Sequence, residues 1–307
     1  MSQNKVKSIH TYISNQLAMV DYDSADSNSR YLASYKEFDE NGNITKEIGY
    51  RPDTLIENNY SNIYDANNHL IEHSIFDENN ELLECHKYDL DENGRVIGES
   101  CFYAEMDDND YTTYLYDNDG HLIEKRNVDS DNELYHLKQF TYENQKLIKE
   151  QLFNDEQKLE TETIYEYDEN GLRISEINID NLVGDKQTFK YDYNELGQRI
   201  ETLHYNKKDQ LVAKSFFEYD EQGVNIQLIE EDVNGVYTTV FDYNELGKIQ
   251  TQEKYNHEEE LIVRWIYEYE DDRLVKTKTL VRDENAEESD EDEMVVKIIS
   301  EFIHELY

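Results

Sequence analysis

The sequence predicts an all-β fold, a long antiparallel meander of about 20 strands built from 26-residue hairpin repeats, with a short C-terminal helix. Three observations predict it. An aromatic-x-aromatic-acid motif recurs at a near-constant step along the chain. Between copies, large apolar residues alternate with period two, as in a strand with two unlike faces. Each copy ends on a turn rich in Asp, Asn and Gly.

The aromatic pairs are Tyr114/Tyr116, Phe140/Tyr142, Tyr165/Tyr167, Tyr191/Tyr193, Phe217/Tyr219, Phe241/Tyr243 and Tyr267/Tyr269, with weaker copies ending at Phe38, Tyr64 and Leu90. Successive second anchors lie 26, 26, 26, 26, 25, 26, 26, 24 and 26 residues apart. Tyr12 stands 26 before Phe38, in the phase of an eleventh, degenerate copy. Asp, Glu or Asn follows each of the ten anchors, and seven of the 11 glycines fall four residues after one.

A half-period is visible in Phe76-Asp77, Val128-Asp129, Phe153-Asn154, Ile179-Asp180, Tyr205-Asn206 and Tyr255-Asn256. The unit is therefore about 13 residues, a strand of eight or nine plus a four-residue turn. Leu211, Ala213, Ser215, Phe217 and Tyr219 alternate on one strand face, as do Leu261, Val263, Trp265, Tyr267 and Tyr269. The opposite face of the latter, Ile262, Arg264, Ile266 and Glu268, is mixed. Open twisted sheets rarely exceed about ten strands without curling or splitting. The expected sheet is therefore a spiral, a partial shell or a curved ribbon.

The domain reading follows the repeat. Residues 1–30 form an N-terminal cap or degenerate repeat, and 31–283 the repeat domain. Residues 284–293, a run of like charge, read as a solvated linker or helix start. In 294–307, Val295, Ile299, Phe302 and Leu306 make one helical stripe. That helix would cap the last strand edge or dock a partner.

Charge narrows the function. There are 29 Lys and Arg against 71 Asp and Glu, a net charge of −42. Such a chain repels nucleic-acid phosphates and anionic membranes. Low apolar content with this charge would point to disorder, but 12% aromatic residues points to a folded scaffold. The first 20 residues show no signal-peptide core, and no run is long and apolar enough for a membrane-spanning helix. Cys85 and Cys101 read as free thiols. A cytoplasmic location is expected.

The search for chemistry yields no catalytic residue, metal site or cofactor. Asp89, Asp91 and Asn93 match the start of a calcium loop, but its twelfth position is Ser100, with Glu99 out of register. His69 and His73 share a strand face without an evident third ligand and read as surface or packing histidines. Cys85 and His86, adjacent on one strand, point to opposite faces and cannot form a nucleophile–base pair within it. The tyrosine rows read chiefly as fillers of a curved face, and as a surface able to stack sugars or meet a protein.

The punctuation of Tyr167-Asp168 with Gly171, Tyr116-Asp117 with Gly120, and Tyr219-Asp220 with Gly223 resembles the YD repeats of RHS-type proteins over residues 12–283. In that family the repeats build a β-shell around a toxin polypeptide, which implies spiral β-sheet architecture here. The chain lacks the family's Arg-rich consensus, self-cleavage core and appended toxin domain.

Charge and resemblance together lead to a non-enzymatic acidic protein-binding scaffold. Its expected partner is a basic protein, such as a toxin or nucleic-acid-binding effector that it neutralises as an immunity or inhibitor protein. Two alternatives stand beside it: a structural or surface repeat protein that binds glycans, and a DNA mimic that inhibits a DNA-binding protein. The candidate binding residues are Glu166, Glu218 and Glu268 on strand faces, and Glu287, Glu288, Asp290, Glu291, Asp292 and Glu293 in the tail. The oligomeric state is left open.

Overall fold

In the computed structural model, residues 5–15, 30–282 and 294–306 are described, and they hold 22 β-strands and no helix. The first seven are β1 (Val6–Asn15), β2 (Arg30–Phe38), β3 (Ile44–Tyr50), β4 (Ile56–Tyr64), β5 (Leu70–Phe76), β6 (Leu82–Leu90) and β7 (Val96–Tyr103). Next come β8 (Asp108–Tyr116), β9 (Leu122–Val128), β10 (Leu134–Glu143), β11 (Lys146–Phe153), β12 (Leu159–Tyr167), β13 (Arg173–Asp180), β14 (Asp185–Tyr193) and β15 (Arg199–Tyr205). The remainder are β16 (Leu211–Tyr219), β17 (Asn225–Asp232), β18 (Gly235–Tyr243), β19 (Ile249–Tyr255), β20 (Leu261–Glu270), β21 (Arg273–Arg282) and β22 (Met294–Leu306).

The chain divides into two compact units. The first comprises Met1–Ser61, Phe76–Glu81 and Phe217–Tyr307, and the second Asn62–Ile75 and Leu82–Phe216. In the first, β17 to β22 pair in succession, β22 pairs with β1, and β1 leads through β2 and β3 to β4. In the second, β6 to β16 pair in chain order. Every one of these pairs is antiparallel.

The turns are the predicted Asx turns. Asp39 N donates to Asn43 O at 2.9 Å, and Gly42 N donates to Asp39 O at 3.1 Å. The Asp39 carboxylate accepts from the N–H groups of Asn41 and Asn43 at 2.8 and 2.9 Å. The same arrangement recurs at Asp65, Asp91, Asp168, Asn194, Asp220 and Asn244. Its fourth residue needs positive φ, and Gly94 shows why glycine suits it. There φ is +78, and an added Cβ would lie 2.4 Å from the His69 ring. Thr54, Gln157 and Glu259 hold the same left-handed conformation without being glycine, at φ 68, 59 and 62. Three hairpins are shorter than the repeat unit predicts, with two residues between paired Glu143 and Lys146, Asp232 and Gly235, and Glu270 and Arg273. In the first and last, Asn144, Gln145, Asp271 and Asp272 all have positive φ, which fits the twist of a two-residue turn.

A bulge precedes the second anchor in repeat after repeat, with register shifts at Asp89/Leu90, Leu115/Tyr116, Glu166/Tyr167, Asp192/Tyr193, Asp242/Tyr243 and Glu268/Tyr269. The anchor hydroxyl then reaches the far end of the strand before it. Tyr116 donates to Val96 O at 2.8 Å, Tyr167 to Leu147 O at 2.8 Å, Tyr193 to Arg173 O at 2.6 Å and Tyr269 to Ile249 O at 3.0 Å. Each acceptor is the residue paired with the preceding repeat's anchor, beside that repeat's bulge. Every such repeat is therefore latched to the one before it.

The core is thin and largely polar. Among the described residues, the buried apolar side chains are Ile48, Cys101 and Val128, beside buried Ser8, Asn59, Ser74, Thr112, Ser175, Thr188 and Thr239. Large rings lie over these small residues, and most of the rest is half-buried. Stability is spread over neighbour contacts, as in repeat proteins.

Two expectations are corrected. The C-terminal segment is a strand, and the two terminal strands of the sheet pair with each other. β22 pairs with β21 on one side and β1 on the other, so the first and last strands of the 22-stranded sheet meet, and the free terminal edges that a spiral, a partial shell or a ribbon would leave are not found there. The physical reason lies in the edges. β1 and β21 each present unpaired backbone groups, and a helix at 294–307 would leave both rows unmet. Five of the 13 residues of β22 are Val or Ile, which suits an extended chain. The helical stripe was one of two periods that this apolar-rich run can satisfy.

Candidate functional site

Between the two rings of each anchor pair sits one residue that alternation sends to the opposite face of the strand. In the second unit this residue is Asp89, Leu115, Thr141, Glu166 or Asp192, and all five are exposed. In the first unit it is exposed at Glu218 and Asp242 and half-buried at Glu37 and Glu268. Consecutive members stand two strands apart, about 10 Å. Acids occupy three of the five positions in the second unit, Asp89, Glu166 and Asp192, all on strands. Of the predicted residues, Glu166 and Glu218 are placed in this row, exposed. Glu268 is held at 2.5 Å by Lys278 and offers less free charge. Glu287, Glu288, Asp290, Glu291, Asp292 and Glu293 lie outside the described residues. Sequence reasoning missed Asp89, Asp192 and Asp242, although the same phase between the anchors marks them.

The opposite face of these strands is a network of tyrosine, carboxylate and cation. The first anchor hydroxyl donates 15 residues back: Tyr114 to Glu99 at 2.8 Å, Tyr165 to Glu150 at 2.7 Å and Tyr191 to Glu176 at 3.4 Å. Burial, then the bonded carboxylate, pushes the Tyr114 and Tyr165 phenols well above their ordinary value. Glu150 is also pulled up by burial, but hydrogen bonds from Lys138 and Tyr165 outweigh this and leave it lowered. Guanidinium groups cover the rings: Arg173 over Tyr165 at 4.5 Å, Arg199 over Tyr191 at 4.2 Å and Arg95 over Tyr116 at 4.8 Å. Rings and hydroxyls are thus committed within the sheet.

One place on this face gathers different chemistry. Register puts His86 of β6 opposite Cys101 of β7. The His86 Nε2 atom lies 3.5 Å from Cys101 Sγ and 3.5 Å from a Glu84 carboxylate oxygen. Its Nδ1 atom lies 2.9 Å from Glu99 Oε1. The His73 ring is close by, 5.9 Å between centroids, and burial, then His86, holds its pKa down. Burial pushes the Cys101 thiol up. Thiol, imidazole and carboxylate stand in the order of a nucleophile, a base and its orienting group. However, a buried thiol of raised pKa is a poor source of thiolate. Alternation sends Cys85 and His86 to opposite faces; the cross-strand partner Cys101, 15 residues on, needed the register.

The remaining candidates are absorbed by turns. Asp91 accepts the N–H groups of Asn93 and Arg95, each at 2.9 Å, and binds the Arg95 side chain, so turn chemistry accounts for the residues of the calcium-like run. His69 Nδ1 meets Asp65 at 3.1 Å, and His73 Nδ1 meets Asn62 at 2.7 Å. Both cysteines are free.

No family model and no curated protein matches this chain. Among solved structures, it is similar to the TcdB2–TccC3–Cdc42 crystal structure at 12% identity and TM-score 0.42, over 82% of this chain and 16% of that one. A porin-like protein from Bacteroides uniformis is similar at 7% identity and TM-score 0.36, over 98% of both chains. The chain spans about a sixth of the TcdB2–TccC3–Cdc42 chain it matches. Its own coordinates show an all-β repeat protein.

Proposed function

We propose that this chain is a non-enzymatic acidic scaffold that binds a basic protein, and that it acts as an immunity or inhibitor protein covering a basic effector toxin. The observation that carries this reading is the exposed row of acids between the anchor rings, Asp89, Glu166 and Asp192 in one unit and Glu218 and Asp242 in the other. Strand-held charges need little ordering on binding, and a net charge of −42 attracts a basic partner, which speeds encounter by roughly 10- to 1,000-fold at low salt. Charges on both faces of the strands, such as Lys87 and Asp192 on one and Glu99 and Lys138 on the other, suit neither face to lipid. Free thiols fit a reducing cytoplasm. A DNA mimic would use the same row against a DNA-binding target. The glycan reading draws less support, because the ring faces and hydroxyls are already committed.

The test is binding of basic effectors from the source organism at low and high ionic strength, with toxicity assays beside it. Salt-sensitive binding that neutralises an effector supports the proposal. No affinity for any basic candidate at low salt overturns it.

A further inference from the structure

We propose that Glu84, His86 and Cys101 form a binding site for a divalent transition metal of zinc's class. The three side chains come from the paired strands β6 and β7, and their ligand atoms all lie within 4.8 Å of one another. Two of the edges are measured, Nε2 to Sγ at 3.5 Å and Nε2 to the Glu84 oxygen at 3.5 Å. A tetrahedral zinc with ordinary Zn–S, Zn–N and Zn–O bonds requires edges of about 3.4–3.6 Å. Two of the three edges therefore stand at the needed spacing before any metal arrives, and the third lies within 4.8 Å.

The second observation is the orientation of the imidazole. The Nδ1–H donates to Glu99 Oε1 at 2.9 Å, and Glu99 is itself fixed by the Tyr114 hydroxyl at 2.8 Å. This bond selects the tautomer whose Nε2 lone pair points at the thiol and Glu84. Metal-ligating histidines are commonly held by a carboxylate in this way. On binding, the Cys101 thiol releases one proton to solvent and a metal–sulfur bond forms. Thiolate and carboxylate then balance the dication. A fourth position is left for water or an incoming ligand.

The cluster of Asp117, Asp119 and His121 differs. Asp117 already accepts the backbone N–H groups of Asp119 and His121, and the His121 ring stacks on Tyr142 at 4.6 Å. The carboxylate that orients the His121 imidazole, Asp117 on Nδ1 at 3.0 Å, is itself a member of that cluster, so no carboxylate outside the set holds the histidine as Glu99 holds His86.

The experiment titrates the reduced, metal-free full chain with cobalt(II) alone. The expected result is one cobalt per chain, with a near-ultraviolet sulfur-to-cobalt charge-transfer band and strong tetrahedral visible bands, all removed by excess zinc(II). Cys101→Ser and His86→Gln abolish the bands, and Cys85→Ser keeps them. Glu99→Gln weakens affinity about 10- to 100-fold. If Cys101→Ser does not fold, alkylation of Cys101 in the Cys85→Ser protein decides: zinc(II) slows it if the site is real. A cobalt spectrum without the sulfur band, a band that survives Cys101→Ser, or alkylation indifferent to zinc overturns the proposal.

Discussion

Removing the Tyr167 hydroxyl tests the latch between repeats. In Tyr167→Phe the ring stays and only the bond to Leu147 O, 2.8 Å long, is lost. A neutral hydrogen bond is worth about 0.5–1.5 kcal/mol net, and a poorly hydrated carbonyl left without its donor adds to the cost. The expected loss is about 1–1.5 kcal/mol. With an m-value of about 3 kcal/mol/M, the urea midpoint falls by roughly 0.3–0.5 M at unchanged m. Tyr191→Phe is the control, since its hydroxyl contact is long, 3.4 Å; it should shift the midpoint less than half as much. Additivity gives a second readout. Tyr116 and Tyr193 share no partner, so their double variant should add to within about 0.5 kcal/mol. Tyr167 and Tyr193 meet at Arg173, which pairs with one and accepts from the other, so that double variant should deviate. Equal shifts for Tyr167→Phe and Tyr191→Phe would refute the latch.

Thr54→Gly and Gln157→Gly should each raise stability by about 0.5–1 kcal/mol, because relief of left-handed strain exceeds glycine's added chain entropy; a lower urea midpoint would count against the turn assignment. Gly94→Ala should cost about 1–3 kcal/mol by the same assay, since strain at φ +78 adds to the clash with His69. Burial, then the Glu37 hydrogen bond, raises the Tyr35 pKa from 10.0 to about 12. The folded chain thus holds that proton more tightly than the unfolded one. Its contribution is full below pH 10 and declines as pH rises through about 12; a urea midpoint that rises over this window would contradict the assignment. The double variant Glu166→Lys with Asp192→Lys should slow association with a basic partner at low salt without moving the urea midpoint. Deleting residues 294–307 should expose the edges of β1 and β21 and yield dimers or aggregates on size-exclusion chromatography.

Much of the fold was legible because turn chemistry and strand alternation are local. Gly171 and Asn170 mark a turn wherever the chain runs, and Tyr165 and Tyr167 must share a face once the strand is extended. The bulge at Glu166/Tyr167 was not legible, because it depends on the partner strand taking two residues for one. Nor was the Tyr167 latch, whose acceptor lies 20 residues back, at the far end of the neighbouring strand. The acidic row was half legible: Glu166 and Glu218 stood out, and Asp192 and Asp242 in the same phase did not. The His86–Cys101 pairing lay beyond reach, since alternation says only what one strand does with its own neighbours.

The sequence by itself determined the repeat, the strands, the turns and the shared face of each anchor pair, all consequences of period-two geometry and Asx–glycine chemistry within about 13 residues. The tertiary structure alone decided the pairing of the two terminal strands and the state of the last segment. Residues 294–306 satisfy both a helical and an extended period, and the choice rests on two distant strand edges whose backbone groups need partners.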